Sequence, residues 1–547
     1  MTEDRETYRR GLVADKYRLA RALHHAGDRQ ERVRTELLAE NADTVFGSAH
    51  DFTRLRTMDD YRAAVPLRTY ADYEPWIDRA AAGEPGILTA EEPRLFFTTS
   101  GSTGTRKRVP VTSRFLTTTY LPFFRAAMGV PAEYFPEVIT RPAATLNLRH
   151  DRLARPATTG SGRPSLGPSQ ADMGRAFGVA LREPGGDAPW AELPVPVDDS
   201  AHLDKLYLRV RMAAEHDVRC VIGHNPALLA MLPVLLAQWW PRLLRDLHDG
   251  TYLGARGGTP NPSRAAGLER QAACSGRPTP AVIWPRIRLL YCWASGVASL
   301  YLPRLRELYG TGVTVLPTPA AASEGPVGVP LDRHPTAGPL AVSTALYEFV
   351  DAGQDVRADS PTLLHHELEA GRDYHVVFSH IGGLYRYVLG DLVHVVDHVH
   401  GVPRVEYAGR NTLCDAAGER LREFHLVRAL RATALRSGFD IGNATCRVEA
   451  GTGTPGYVVA AALHPEPLPG ELPALAQALD RELGRLSHGY RAARARGALA
   501  APVVRPVAPE AFARHWHRRV AAGMRPPEVK DQILQPDPAA WKLLLGD

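Results

Sequence analysis

Between Phe96 and Val111 the chain reads FFTTSGSTGTRKRVPV: two aromatic residues, then Thr98, Thr99, Ser100, Gly101, Ser102, Thr103, Gly104 and Thr105, then Arg106, Lys107 and Arg108. Glycines interleaved with small hydroxylated residues let backbone N–H groups turn toward an anion with no bulky side chain in the way. The hydroxyls supply further donors and Lys107 supplies a point charge. This composition describes a cradle for phosphate groups. It is not a Walker A loop, because Gly101 and Gly104 stand too close together and Arg108, not Ser or Thr, follows Lys107. A Ser/Thr/Gly surface turn is the alternative for such residues; the run length, the glycine spacing and the closing Lys favour the cradle.

Three further stretches carry isolated charges in unusual settings. In AAASEGPVG, Ala320 to Gly328, Glu324 is the only charge among small residues. Such a carboxylate can hold Mg²⁺, which accepts one or two carboxylates plus phosphate oxygens and water; the alternative is a turn in which Ser323 caps a short helix. In LYRYVLGDLVHVV, a β run is broken by Gly390-Asp391, and an Asp where the chain turns can accept both hydroxyls of a ribose. A β-bulge or hairpin with a solvated Asp reads equally well there. In EYAGRNT, Gly409-Arg410 lies where composition shifts, a hinge with a phosphate- or ribose-binding Arg.

Elements must place these groups together, and the composition says how many. A chain of 547 residues is too long for one core and calls for two large or three smaller domains. Sixty-five Lys plus Arg against 60 Asp plus Glu leave a net charge of +5, and no block of like charge suggests a nucleic-acid arm or a polybasic membrane anchor. The 21 histidines show no zinc-ligand spacing. Five scattered cysteines (Cys220, Cys274, Cys292, Cys414 and Cys446) argue for a reducing compartment. The N-terminus is charged throughout, without the apolar core of a secretory signal. The longest apolar run, Pro226 to Trp240, is too short to span a bilayer and contains Pro233. A soluble, cytoplasmic protein is the expectation.

Along the chain, residues 3–40 carry apolar residues at helical spacing. Strand-like FF leads into the phosphate run, and a turn and helix are expected after it. Arg141 to Asp199 is rich in Pro, Gly and Ser and reads as a long lid-like or substrate-facing connection. VRCVIGHNPALLAML and IWPRIRLLYCWASGVASLYLPRLRELY each read strand, turn, helix, and GVTVLPTP reads as another strand. From Leu340 the pattern turns β-rich, in LAVSTALYEFV, YHVVFSH, LYRYVLGDLVHVV and RVEYAGR. A boundary is expected close to Arg410, followed by a strand at GYVVAAALH, a helix over Leu472 to Leu486 and a Pro-punctuated tail.

In this order the stretches resemble the adenylate-forming superfamily, and more closely the plant auxin-responsive acyl acid amido synthetases (Gretchen Hagen 3 family), their bacterial relatives in particular. The resemblance runs through LLAENADTVFG, VPLRTYADYEPWIDRAAAGE, FFTTSGSTGTRKRVPVT, IGHNPALLAML, WPRIRLLYCWASGVASLYLPRL, YRYVLGDLV and AGERLREFHL. It implies an α/β fold with a large N-terminal domain of mixed sheets and helices, residues 1–409, and a smaller mobile α+β C-terminal domain, residues 410–547. It implies ATP and Mg²⁺ as cofactors, and a small carboxylic acid and an amine, such as an amino acid, as partners. The acid is activated to an acyl-adenylate with release of pyrophosphate, then passed to the amine as an amide.

By the same resemblance Thr99, Ser100, Gly101, Ser102, Thr103, Gly104 and Lys107 bind ATP phosphates, and Ser295-Gly296 lie along the acyl group and nucleotide. Ser323 and Glu324 form the second motif, with Glu324 the metal ligand. Asp391 binds ribose, Arg410 is the hinge residue, and Lys530 in PEVKDQ is the C-terminal catalytic lysine, acting with Lys107 and Glu324. For Lys530 an ordinary surface lysine is the alternative, since Asp531-Gln532 follow where the family pattern has Pro-Arg. Ala320 replaces an adenine-stacking Tyr and Val388 replaces an Arg. An acid–thiol ligase forming a CoA thioester and a nucleotide-binding relative without catalysis are the rival readings.

Overall fold

The structure is a computed structural model and describes residues 4–98, 107–148, 156–168, 170, 171, 173–179, 181–449 and 453–546. The chain divides into two compact units, one made of residues Met1–Ala188 with Leu316–Tyr407 and the other of Pro189–Val315 with Ala408–Asp547. The middle segment 189–315 thus clusters with the C-terminal residues, whereas the expected boundary at Arg410 cuts the chain once.

In the first unit the amphipathic N-terminus forms helices Arg5–Ala22 and Ala26–Glu40 joined by a short 3-10 turn. Strand Leu95–Thr98 pairs antiparallel with Arg108–Val111, Thr98 opposite Arg108. Strand Arg108–Val111 closes the run, and the helix expected after it begins at Ser113, capped by Thr112. Arg108–Val111 is an edge strand of its four-stranded sheet, which is where Pro110, lacking an N–H, can sit. Five strands form the second sheet in the order Gly338–Pro339, Val402–Arg410, Leu384–Val399, Asp373–His380, Leu346–Asp351. The last two pairings are antiparallel. Leu384–Val399 and Val402–Arg410 are joined by His400-Gly401, both at positive φ (51° and 78°), the two-residue turn whose twist matches paired strands. Phe96, Phe97, Tyr385 and Tyr387 are all buried in the core of this unit.

The second unit holds a parallel strand pair, Cys220–His224 with Leu289–Cys292. It also holds a three-stranded sheet of Asp440–Glu449, Gly456–His464 and Val503–Pro506. Leu300 packs with Leu426, Leu430, Val459 and Leu479 in its core. Helix Pro226–Asp249 contains the apolar run Pro226 to Trp240. Asn225 caps its start, accepting from the Ala227 N–H at 3.0 Å, and Gly250 closes it in a left-handed conformation. Leu228, Leu229, Leu232, Leu235 and Leu236 are fully buried, which offsets the helix-breaking cost of Pro233 and Pro241. By length and composition this helix passes for a membrane span, with 44% of its most apolar window buried within the fold.

Candidate active site

Glu324 sits at the tip of a hairpin formed by the paired strands Ala320–Ala321 and Pro326–Gly328. Ala322 and Gly325 exchange backbone hydrogen bonds (3.0 and 3.2 Å), so Ser323 and Glu324 occupy the corner of a tight turn. No helix begins at Ser323. The turn is fixed from below by His380, whose Nε2–H donates to the Glu324 carbonyl at 2.7 Å while Nδ1 accepts from the Gly382 N–H at 3.1 Å. Burial lowers the His380 pKa to about 4, so the ring is neutral in this one tautomer.

The Glu324 side chain is only 7% exposed. Its Oε1 accepts a hydrogen bond from Tyr387 OH at 3.3 Å and lies 3.6 Å from Lys107 Nζ. Burial first, and then the Glu324 charge, raise the Tyr387 pKa, which keeps the phenol a donor. Lys107 also stands over the Tyr70 ring, 5.3 Å from its centroid, and the Tyr70 hydroxyl accepts from the Arg108 N–H at 2.7 Å. The closing Lys of the phosphate run is thus held beside the hairpin carboxylate. Thr99, Ser100, Gly101, Ser102, Thr103 and Gly104 lie outside the described residues.

Asp391 lies within strand Leu384–Val399, which runs on past it rather than turning. The register against Asp373–His380 shifts between His375 and Val377, so Gly390-Asp391 forms a bulge, with Gly390 at a φ of +84° that suits glycine. Asp391 is partly exposed and close enough to Tyr387 for its charge to raise that phenol's pKa. Val388 packs with Leu67, Val350 and Val377, an apolar contact an Arg could not keep. The nearby Arg386 is instead spent on a buried pair with Glu348, at 2.9 and 3.0 Å.

The other predicted residues belong to the second unit. Ser295 immediately precedes the 3-10 helix Gly296–Tyr301. The Arg410 N–H donates to Glu423 at 3.1 Å. Lys530 is exposed, its Nζ 4.7 Å from the centroid of the Trp293 ring, a cation–π distance.

A single carboxylate beside a lysine suits Mg²⁺, which completes its shell with substrate oxygens and water. Among the described residues no group of three or more His, Cys, Asp or Glu could hold a metal. Tyr70, His380, Tyr387 and Trp293 were not singled out by sequence. Tyr387 sits inside the YRYVLGD motif itself, where only the Asp drew notice; the others show their role only through contacts.

The lysine that closes the phosphate run and the hairpin carboxylate thus stand together in the first, mixed α/β unit. Residues 16–314 match the GH3 family N-terminal domain, 338–410 the GH3 family central domain and 424–539 the GH3 family C-terminal domain. The chain belongs to the GH3 family. A probable indole-3-acetic acid-amido synthetase, GH3.12 of Oryza sativa subsp. japonica, is 27% identical over 438 residues, covering 72% of this chain and 70% of the relative. The jasmonoyl–L-amino acid synthetase JAR6 of Nicotiana attenuata is 23% identical over 457 residues, covering 75% and 74%. Among solved structures, the AtGH3.15 acyl acid amido synthetase in complex with 2,4-DB shares the fold, with a TM-score of 0.78 at 18% identity over 97% of this chain and 95% of that one.

Proposed function

We propose that this chain is an ATP-dependent acid–amine ligase. It joins a small carboxylic acid to AMP with release of pyrophosphate and passes the acyl group to an amine, an amino acid being the favoured acceptor. The observation that carries the reading is the Lys107–Glu324–Tyr387 cluster at the end of the phosphate run, in a chain matching all three GH3 family domains in order. The relatives' names, indole-3-acetic acid-amido synthetase and jasmonoyl–L-amino acid synthetase, each join a carboxylic acid to an amine or amino acid.

In the first half-reaction a carboxylate oxygen attacks the α-phosphorus of ATP and pyrophosphate leaves; in the second the amine attacks the acyl carbon and AMP leaves. Ser100, Gly101, Ser102, Thr103 and Gly104, with Thr99, hold the phosphates, and Lys107 and Lys530 offset charge on phosphates and attacking carboxylate. Glu324, with Ser323 beside it, would hold Mg²⁺, which neutralises phosphate charge when bound. Asp391 takes the ribose hydroxyls, Ser295 and Gly296 lie along the acyl group, and Arg410 is the hinge before a mobile segment 410–547. A bacterial, cytoplasmic enzyme fits the sequence resemblance and the five free thiols.

The test is a screen of carboxylic acids for ATP-dependent pyrophosphate release. The acid found is then supplied with CoA and, in parallel, with amino acids and small amines under mass spectrometry. An amide with at least one amine is expected. Acyl-CoA with no amide moves the chain to the thiol ligase reading, and no pyrophosphate with any acid removes the enzyme reading.

A further inference from the structure

Lys530 is tethered on both sides within three residues, and we propose that Asp531 is the positioning residue that aims it for acid activation. The proposal rests on the acid–amine ligase reading and on the part given there to Lys530.

On the N-terminal side, the Val529 carbonyl accepts from Asn225 Nδ2 at 2.6 Å, the same side chain whose oxygen caps helix Pro226–Asp249. On the C-terminal side, Asp531 Oδ2 accepts from Tyr301 OH and from Asn443 Nδ2, the latter at 3.1 Å. Asn443 Nδ2 also donates to Tyr301 OH at 2.6 Å, closing a three-membered network. Beyond it, Thr445 Oγ1 donates to the Gln532 carbonyl at 2.7 Å and the Cys446 N–H to the Ile533 carbonyl at 2.6 Å.

These ties reach particular elements. Tyr301 ends the 3-10 helix that starts at Gly296, directly after Ser295. Trp293, whose ring lies beneath the Lys530 ammonium, donates its backbone N–H to the His224 carbonyl at 2.6 Å, and His224 immediately precedes Asn225. One carboxylate therefore joins the backbone beside the lysine to the 3-10 helix that begins at Gly296, directly after Ser295. Burial pushes the Asp531 pKa up while Tyr301 and Asn443 pull it down. A carboxylate in such a place is costly unless donors meet it, and both donors present are side chains aimed at it. Where the family pattern stiffens the residue after the lysine with a Pro, this chain holds an Asp by hydrogen bonds.

The test uses the full chain, the acid found by the pyrophosphate screen, and two readouts. These are pyrophosphate formation from acid and ATP, and amide formation from a supplied synthetic acyl-adenylate. Asp531→Ala lowers kcat for pyrophosphate formation by about ten- to hundredfold, with KM for ATP and turnover of the supplied adenylate each within about threefold. Asp531→Asn, which keeps an acceptor oxygen, recovers most of the rate, and Tyr301→Phe loses about threefold in the same half-reaction. Because Asp531 acts through Lys530, the double variant Lys530→Ala/Asp531→Ala is no slower than Lys530→Ala alone. Additive losses, an equal fall in both half-reactions, or full activity of Asp531→Ala overturns the proposal. If Lys530→Ala itself forms pyrophosphate at the full rate, the role given to Lys530 fails and the proposal with it. If only Asp531→Ala does, positioning alone fails. Should Asp531→Ala not fold, as judged by circular dichroism, Tyr301→Phe and Asp531→Asn carry the same comparison.

Discussion

Glu324 and Lys530 are held by opposite means. Glu324 stands on a hairpin whose corner is locked by paired backbone groups and a neutral buried His380, with Tyr387 supplied by the longest strand of the five-stranded sheet. Lys530 stands on a segment outside any described helix or strand, held by single contacts from Asn225, Tyr301, Asn443 and Thr445. A buried charge needs its partners already in place, because an unmet one costs several kcal/mol. An exposed ammonium needs only direction, and a few hydrogen bonds of about 1 kcal/mol each can give it and be remade. The first arrangement suits a fixed charge. The second suits a group required in one step and dispensable in the next.

The sharpest break of this comparison is Glu324→Gln. It removes the fixed charge and is expected to lower pyrophosphate formation by about 10³-fold; a rate near that of the unaltered protein would deny Glu324 its role. Lys530→Ala should cost about 10²-fold in the same assay yet leave amide formation from a supplied acyl-adenylate within about threefold. Equal losses in both half-reactions would erase the contrast between the two sites.

Asp391→Ala comes next, with an expected ten- to hundredfold loss in ATP affinity, since hydrogen bonds to a charged group are worth about 1.5–3 kcal/mol. Calorimetric titration of a folded variant decides it, and unchanged affinity ends the ribose assignment. The smallest effect at neutral pH belongs to the support beneath Glu324. His380 has its folded pKa depressed to about 4, below the usual value of 6.5. Between those values the unfolded chain binds more protons, so this contribution is intact above about pH 6.5 and is lost as pH falls toward 4. His365, also lowered to about 4, adds in the same window. Replacing His380 by Gln should flatten the pH dependence of urea stability there by about 1.4 kcal/mol per pH unit. An unaltered slope would mean that His380 is not neutral and buried in solution.

The sequence was legible where chemistry is local. The β-rich runs YHVVFSH and LYRYVLGDLVHVV foretold strands Asp373–His380 and Leu384–Val399, because enrichment in Val, Phe and Tyr is a property of neighbouring residues. Within the Pro-punctuated tail, where the sequence pattern places no element, stands helix Pro509–Ala521, whose Pro is at the first helical position, where its missing N–H is no loss. Strand Asp440–Glu449 was hidden by small and polar residues that match no simple alternation, and its pairing with Gly456–His464 defines it.

By itself the sequence determined the reagents: a Ser/Thr/Gly run closed by Lys107, an isolated Glu324, an Asp at a strand irregularity and a lysine near the C-terminus, in an order shared with one family. Only tertiary structure decided their company. That Lys107 meets Glu324, that Tyr387 rather than any neighbour in sequence donates to it, and that Asp531 turns to Tyr301 and Asn443 all depend on chain segments far apart in sequence. Residue types fix what a side chain can donate, accept or charge. Which partner it finds depends on which segments the packed core brings together, and burial then decides how much each contact is worth.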